Sequence, residues 1–464
     1  MERLRGSDAL FLYLESAPVH LHLGFAGVLD PRTAAEPYSF ERTLDLIAGR
    51  LHLFDRFRQR LASVPFGVHH PVWVDADGFD VEYHVRRAGL PTPGGPAEFA
   101  AFVGEVMSRP LDRARPLWEL YLIEGLEHGN IGFIAKAHHS IVDGVGGTDM
   151  LVALLDLEAE PPPVPPPAEP WQPQPVPSDV ALLASAVGDL ARQPRRAVSA
   201  TRRLGGDIGR AVGAYRRQEH PVMSVGGPRT RLNAAIGPRR KVAFASFALD
   251  DARQIKQVLG GTVNDVVLAA CGGALRDWLE RHGDRLEGSL TATLPVSVRT
   301  EEEAGAPGNR LAGLIVSLAT DLPDPAERLR AIAEATAQAK EIQGAVSARL
   351  MTDWLEFATP VVAGRAFRFL SRTRLLERTP PLFNVSISNI PGPQFPLYFA
   401  GARVVSMYPM GPVMNGSALT ITVVSYDGMM LLGLIADRDL VPDLDELAGR
   451  VPTAVAELLS AATA

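Results

Sequence analysis

The segment His138-His139-Ser140-Ile141-Val142-Asp143-Gly144 places two imidazoles, a hydroxyl and a carboxylate within seven residues. Near neutral pH a histidine can take a proton from a hydroxyl and return it to a leaving group, so these residue types suit general acid–base chemistry. The pair closes an alternating run, Ile131–Ala137, and precedes a glycine-rich turn at Gly144, Gly146 and Gly147. Neighbouring side chains on a strand point to opposite faces, so one histidine faces a cleft and the other faces packing. The same residues also fit two polar groups that close a strand and do no chemistry. Other chemistries have less support. No further histidine or carboxylate group accompanies the pair at metal-ligand spacing, so no metal site is expected. Neither GxSxG nor GxGxxG occurs in the chain, which removes a serine-hydrolase elbow and a dinucleotide loop. A second pair, His69-His70, runs into Pro71-Val72-Trp73-Val74 without a following aspartate or glycine turn, and is expected to be structural beside a strand. His20, His22 and His84 lie in alternating apolar segments and are expected to be packing partners rather than ligands.

The elements that must position these groups follow from patterning. Apolar spacing predicts helices over Phe40–Arg50, Pro96–Met107, Val263–Arg281, Pro325–Gln343 and Asp443–Leu459. Val81–Val85, Leu117–Ile123, Ile131–Ala137, Leu290–Leu294, Ala312–Leu318, Phe383–Ser388, Leu419–Ser425 and Met430–Ile435 read as strands. The turn His128-Gly129-Asn130 pairs two of them as a hairpin, and Tyr426-Asp427-Gly428 pairs two more. Thr148–Leu157 is helix-like. Helices and strands mix without strict βαβ alternation, which points to an α+β chain of two mixed α/β domains rather than a doubly wound nucleotide fold.

The chain has 464 residues, beyond what a single core usually serves, so two domains are expected. From Pro161 to Pro177 ten of seventeen residues are proline, which reads as an extended, semi-rigid tether. After it, Ser178-Asp179 can cap a helix with Val180, Leu183, Val187 and Leu190 as its apolar positions. The division expected is therefore 1–159, a connecting segment 160–232, and 233–464. Within the connector, Arg192–Arg217 holds eight arginines against the single aspartate Asp207, in a chain of formal net charge −7. Arg195–Arg217 also carries Val198, Leu204, Ile208, Val212 and Tyr215. A basic amphipathic segment of this kind can dock on an anionic membrane or lipid droplet, or can pack as a solvated helix across the two domains. The acidic balance argues against nucleic acid as a partner. The lone Cys271, inside an apolar run, excludes an intrachain disulfide and reads as a buried small side chain. No targeting segment and no run of 18 apolar residues is visible, so the expected compartment is the cytoplasm.

HHSIVDG matches the HHxxxDG motif, and further segments extend the match in order: Ser7-Asp8-Ala9-Leu10-Phe11, Pro116-Leu117-Trp118-Glu119, Asn264-Asp265, Pro295-Val296-Ser297-Val298-Arg299, Gly308-Asn309 and Ser388-Asn389-Ile390-Pro391-Gly392-Pro393. Together they resemble the bacterial wax ester synthase/diacylglycerol acyltransferase family, a branch of the CoA-dependent acyltransferase superfamily. The resemblance implies two mixed α/β domains meeting at a tunnel with the HHxxxDG loop at their junction. It implies acyl transfer from acyl-CoA, a co-substrate with no bound cofactor, to diacylglycerol or a long-chain alcohol. His139 would be the general base and His138 would support the loop. Asp143 would pair with Arg299 to fix that loop, and Gly144 would satisfy its turn. Asn264 would contact a carbonyl or CoA, and Asp265 is grouped with it as substrate-binding, although both also suit a helix N-terminus. Trp118 and Asn389 are expected to be structural. Two other readings remain open: a relative acylating another alcohol or amine, and a lipid-binding protein that keeps the fold without turnover.

Overall fold

The computed structural model describes residues 2–141, 154–191, 226–284, 287–297, 311–345 and 380–463. In the first part, strand β1 (Glu2–Arg3) and helix α1 (Gly6–Leu14) lead to β2 (His22–Asp30) and α2 (Phe40–Arg50). Then follow β3 (Gln59–Ala62), β4 (Val72–Asp75), a single helical turn α3 (Val81–His84), β5 (Val85–Gly89), α4 (Pro96–Ser108), β6 (Trp118–Glu124) and β7 (Ile131–His138). Helix α5 covers residues 179–191. The second part holds β8 (Arg240–Ala248), α6 (Leu249–Leu259), α7 (Val263–Arg281), β9 (Thr291–Ser297), β10 (Leu311–Ser317) and α8 (Pro325–Ala345). It ends with β11 (Val385–Ile390), β12 (Tyr398–Phe399), β13 (Ala402–Met410), β14 (Leu419–Tyr426), β15 (Met429–Asp437) and α9 (Leu444–Thr463).

Among the described residues these strands form a small sheet β1-β4-β3 and two six-stranded sheets, β12-β13-β2-β7-β6-β5 and β10-β9-β11-β14-β15-β8. The sheet that carries the histidine pair thus takes β12 and β13 from far along the chain, with β13 antiparallel to β2 from Arg403↔Asp30 to Met410↔Gly24. Every residue of β7 is buried. The reason is that both faces are covered. Leu120, Leu122, Phe133 and Ala135 pack with Ile47 of α2, while Tyr121, Ile123 and Ile134 pack with Phe99, Val103 and Val106 of α4. Each enclosed aliphatic side chain of this kind contributes about 1.5–3 kcal/mol.

The second sheet lies under α7 and α9, where Val266–Leu268, Trp278, Val451 and Leu458 share one core. Its other side meets the sheet that carries the histidine pair: Val424 and Leu431 pack with Val404 and Met407 of β13. The approach is closest at Gly433, where an added Cβ would stand 2.0 Å from the Pro409 carbonyl oxygen. Arg240 at the start of β8 ties the two parts again, its backbone N–H donating to the Ser108 hydroxyl (2.7 Å) and its guanidinium to the Pro18 carbonyl.

Three expectations change. Residues 155–157, the end of the stretch read as helix-like, are not helical: Asp156 bridges Tyr398 of β12, and residues 148–153 lie outside the described residues. Val81–His84 is a helical turn, not the start of a strand. Asp80 caps it by accepting from the Glu82 N–H (3.0 Å), and pairing with β6 begins only at Val85. Helix α5 forms as expected, with the Ser178 hydroxyl accepting from the Ala181 N–H, but it buries a different face. Leu182 and Ala186 are enclosed, whereas Val180 and Val187 are 76% and 62% exposed. Arg3 sets that face by donating to Asp189 and Ser185 (3.0 Å each). The proline run before α5 is irregular and strapped to the first part: the Arg58 guanidinium lies 4.8 Å over the Trp171 ring, and the Gln174 N–H donates to Asp75 (2.9 Å). The two hairpin turns occur as expected, between β6 and β7 and between β14 and β15. No helix among the described residues is long and apolar enough to cross a membrane.

Candidate active site

β7 delivers His138 at its last paired residue, opposite His22 of β2, and the chain turns immediately afterwards. The turn is closed by the Ile141 N–H donating to the His138 carbonyl (3.0 Å). His138 is buried. Its Nδ1 accepts from the Ser140 backbone N–H (3.0 Å) and lies 2.7 Å from the Ser140 hydroxyl. A backbone N–H can only donate, so this Nδ1 is unprotonated and the ring proton of the neutral imidazole sits on Nε2. Nε2 faces Oε1 of Glu15 at 3.2 Å.

His139 leaves the strand in the other direction. Its backbone N–H donates to the Leu21 carbonyl (2.8 Å), and its ring stacks on Phe11 with centroids 3.9 Å apart and planes 10° from parallel. Burial disfavours the imidazolium and lowers its pKa to about 4, so His139 is a neutral base at physiological pH. Opposite faces of one strand end therefore carry different duties, one ring bonded into the protein and the other stacked at the turn.

Behind the pair lies a buried polar layer. Lys136 is wholly enclosed, and its ammonium donates to the carbonyls of Val106 (2.9 Å) and Arg109 at the end of α4, with Glu119 4.0 Å away. Burial pushes its pKa down to about 8. His22 is held far below the usual histidine range by burial and by the Lys136 charge. Glu15 moves the other way. Burial opposes its ionisation, but the adjoining His138 ring and the hydrogen-bonded Arg113 guanidinium prevail and hold its carboxyl well below the ordinary range. Nothing in the sequence singled out Glu15, Phe11 or Arg113 by chemistry. The available signals were the segment Ser7-Asp8-Ala9-Leu10-Phe11 of the family resemblance, which ends on Phe11, and an acidic residue ending the apolar stretch Leu10–Leu14.

Asn264 and Asn389 come together from different elements: Nδ2 of Asn389, on β11, donates to Oδ1 of Asn264, in the first turn of α7 (3.3 Å). Asp265 does not join them. One of its oxygens accepts from the Thr262 N–H (2.8 Å) and hydroxyl (2.7 Å), the other from the Thr336 hydroxyl (2.7 Å). These bonds make Asp265 part of a capping box that also ties α7 to α8, the helix N-terminus role that the sequence offered beside a substrate contact. Trp118 is a buried anchor whose indole N–H donates to the Phe57 carbonyl (2.9 Å) and whose ring stacks on His84. His69 and His70 are buried, with the Tyr13 hydroxyl 2.7 Å from Nδ1 of His70. Cys271 is fully enclosed in α7, and burial pushes its thiol up to about 12. Asp143, Gly144, Arg299, the Gly308-Asn309 pair and Arg195–Arg217 lie outside the described residues. No cluster of three metal-ligating side chains occurs among the described residues.

Residues 4–267 match the wax ester synthase/diacylglycerol acyltransferase catalytic domain, and residues 307–459 match the C-terminal domain of the same proteins. The chain belongs to the wax ester synthase/diacylglycerol acyltransferase family. A putative diacylglycerol O-acyltransferase of Mycobacterium tuberculosis is 35% identical over 99% of this chain and 90% of its own length. Another from the same species is 36% identical over 100% of this chain and 98% of its own. The solved wax ester synthase/diacylglycerol acyltransferase of Marinobacter aquaeolei covers all of both chains at 29% identity, with a TM-score of 0.70. The starter condensation domain of rhizomide synthetase shares the fold at 14% identity and a TM-score of 0.58, over 100% of this chain and 94% of that one.

Proposed function

We propose that this acyltransferase moves a long-chain acyl group from acyl-CoA to diacylglycerol, a long-chain alcohol or both, with His139 as general base. The observation that carries the reading is the state of His139, a neutral imidazole with its backbone pinned to Leu21 and its ring flat on Phe11. In this scheme His139 takes the proton of the acceptor hydroxyl as the oxygen attacks the thioester carbonyl. The tetrahedral oxyanion collapses, the C–S bond breaks, and the departing CoA sulfur receives the proton from His139. No acyl-enzyme is formed. With its oxygen engaged by Asn389, Asn264 offers amide N–H groups, which have the polarity a developing oxyanion or a CoA carbonyl requires. The resemblance assigns Asp143 and Arg299 to fixing the loop and Gly144 to its turn, while the basic amphipathic pattern of Arg195–Arg217 suits either an anionic membrane or droplet surface where such acceptors reside or a helix packed across the two domains.

The test is CoA-thiol release from palmitoyl-CoA with 1-hexadecanol or a diacylglycerol as separate acceptors, for the native chain and His139→Ala. Acceptor-dependent release that falls about 10²–10⁴-fold in the variant is expected. Release that survives the substitution, or none with either acceptor, would overturn the reading.

A further inference from the structure

Glu15 ends α1, and three of its surroundings bear on the histidine pair at once. Oε1 lies 3.2 Å from Nε2 of His138. The same oxygen accepts from the Leu21 backbone N–H (3.2 Å), and the carbonyl of that residue accepts from the His139 N–H (2.8 Å). The helix that Glu15 terminates carries Phe11, the ring on which His139 stacks. One carboxylate therefore touches the ring of the first histidine and, through a single intervening residue, the backbone of the second.

The carboxylate is itself held. Arg113 pairs with Oε2 and also donates to the Leu12 carbonyl (3.0 Å), so it grips α1 and Glu15 together. Unlike Glu15, which is 14% exposed, the Arg113 side chain is 55% exposed and can be changed without opening the core. The other charged or titratable groups facing the carboxylate are His22, with Nε2 at 3.8 Å, and, through its field, Lys136 of β7; His20 stacks on His22 from the far side. A negative charge here favours a proton on whichever nitrogen faces it. On His138 that nitrogen is Nε2, the tautomer that the Ser140 N–H at Nδ1 also favours without deciding it alone.

We propose that Glu15, anchored by Arg113, is a positioning residue of the acyl-transfer reaction: it fixes the Nε2–H tautomer and orientation of His138 and, through Leu21, the backbone from which His139 is presented. This rests on the assignment of His139 as the base. A carboxylate that orients an imidazole in another active site is worth orders of magnitude. Glu15 acts on the neighbour of the base rather than on the base, so a smaller effect follows, about 10–100-fold in kcat.

The experiment compares Glu15→Gln, Glu15→Asp, Arg113→Gln and the Glu15→Gln/Arg113→Gln double variant in the thiol-release assay, with thermal unfolding alongside. Expected are a kcat loss of about 10–100-fold in E15Q with KM for palmitoyl-CoA within about twofold, partial recovery in E15D, and a smaller kcat loss in R113Q. The double variant should be no worse than E15Q, because both changes act through one carboxylate. Selective ¹⁵N-histidine spectra give a readout independent of turnover, with the His138 signals assigned by their absence in His138→Ala. His138 should show a protonated Nε2 in the native chain and a mixture of tautomers in E15Q. Unchanged kcat in E15Q, multiplying losses in the double variant, or a loss confined to KM would overturn the proposal. If E15Q does not fold, R113Q decides alone: lowered kcat at unchanged KM supports the proposal and unchanged kcat sinks it. Should the native chain release no thiol at all, the acyltransferase assignment fails, while the tautomer spectra still decide whether Glu15 fixes His138.

Discussion

The pH dependence of catalysis gives the sharpest check on the active-site assignment, because burial of His139 fixes where the acid limb must fall. A base titrating at about 4 is about 90% neutral at pH 5, whereas one at its ordinary value near 6.5 is only about 3% neutral. In the free enzyme the limb appears in kcat/KM. The native enzyme should therefore keep most of its plateau kcat/KM at pH 5, about 30-fold more than an undisturbed histidine would allow. The cause is removable. Phe11 covers the imidazole face at 3.9 Å, so Phe11→Ala admits water, relieves the desolvation and raises the histidine toward its ordinary value. Loss of half the shift lowers relative activity at pH 5 about threefold, and full loss lowers it about 30-fold, with the pH 7.5 rate as reference. Phe11→Leu, which keeps the site dry, should leave the limb low. Thiol release is followed with 4,4′-dithiodipyridine, which reads thiols in acid, and circular dichroism at each pH confirms that the chain is folded. Titration of the substrate phosphates affects both enzymes alike, so the variant-to-native ratio isolates the imidazole. A native limb near 6.5, or a limb that Phe11→Ala does not move, would refute the assignment of His139 as a desolvated base.

Two further outcomes follow from the supports of the Asn264–Asn389 pair. Asp265→Ala removes the capping box of α7 and the Thr336 hydrogen bond, and should cost about 2–3 kcal/mol in urea unfolding with KM unchanged for the folded fraction; a raised KM at native stability would return Asp265 to the substrate. Gly392→Ala places a Cβ 2.3 Å from the Ser425 carbonyl oxygen, just beyond β11, and should cost about 1–3 kcal/mol together with a fall in kcat as Asn389 shifts; native kcat at native stability would show that the loop yields harmlessly.

Periodicity located the elements whose residues answer to one dominant face. Phe40–Arg50 and Val263–Arg281 begin and end where the spacing puts them, since caps at Ser39 and Thr262 reinforce the apolar pattern. It failed where tertiary contacts decide. Val81–His84 alternates as a strand does, yet Asp80 starts a helical turn that sets His84 against Trp118. Val180 and Val187 look like a core stripe, yet Arg3 turns Leu182 inward instead. Strand β13 is a different case. Ala402–Met410 alternates only loosely, and it belongs to a sheet whose other long strands lie more than 260 residues earlier, a pairing that no local window contains.

The site divides along the same physical line. Chemistry that depends on residue type at short spacing was visible: two histidines at a strand end, and the asparagines at a helix start and a strand end that meet across the second part. What holds His139 neutral was not visible, because it depends on solvent exclusion by residues brought from elsewhere. Phe11 is 128 residues from His139, Glu15 is 123 from His138, and Arg113 reaches Glu15 from another loop. Even the partner of His138 Nδ1 is a backbone N–H two residues on, which any residue other than proline could supply. The motif thus specifies a geometry for the turn, and α1 supplies the ring against which the second imidazole is desolvated. Grafting the motif onto a strand end without an equivalent of Phe11 should therefore reproduce the turn but leave the second histidine titrating near 6.5.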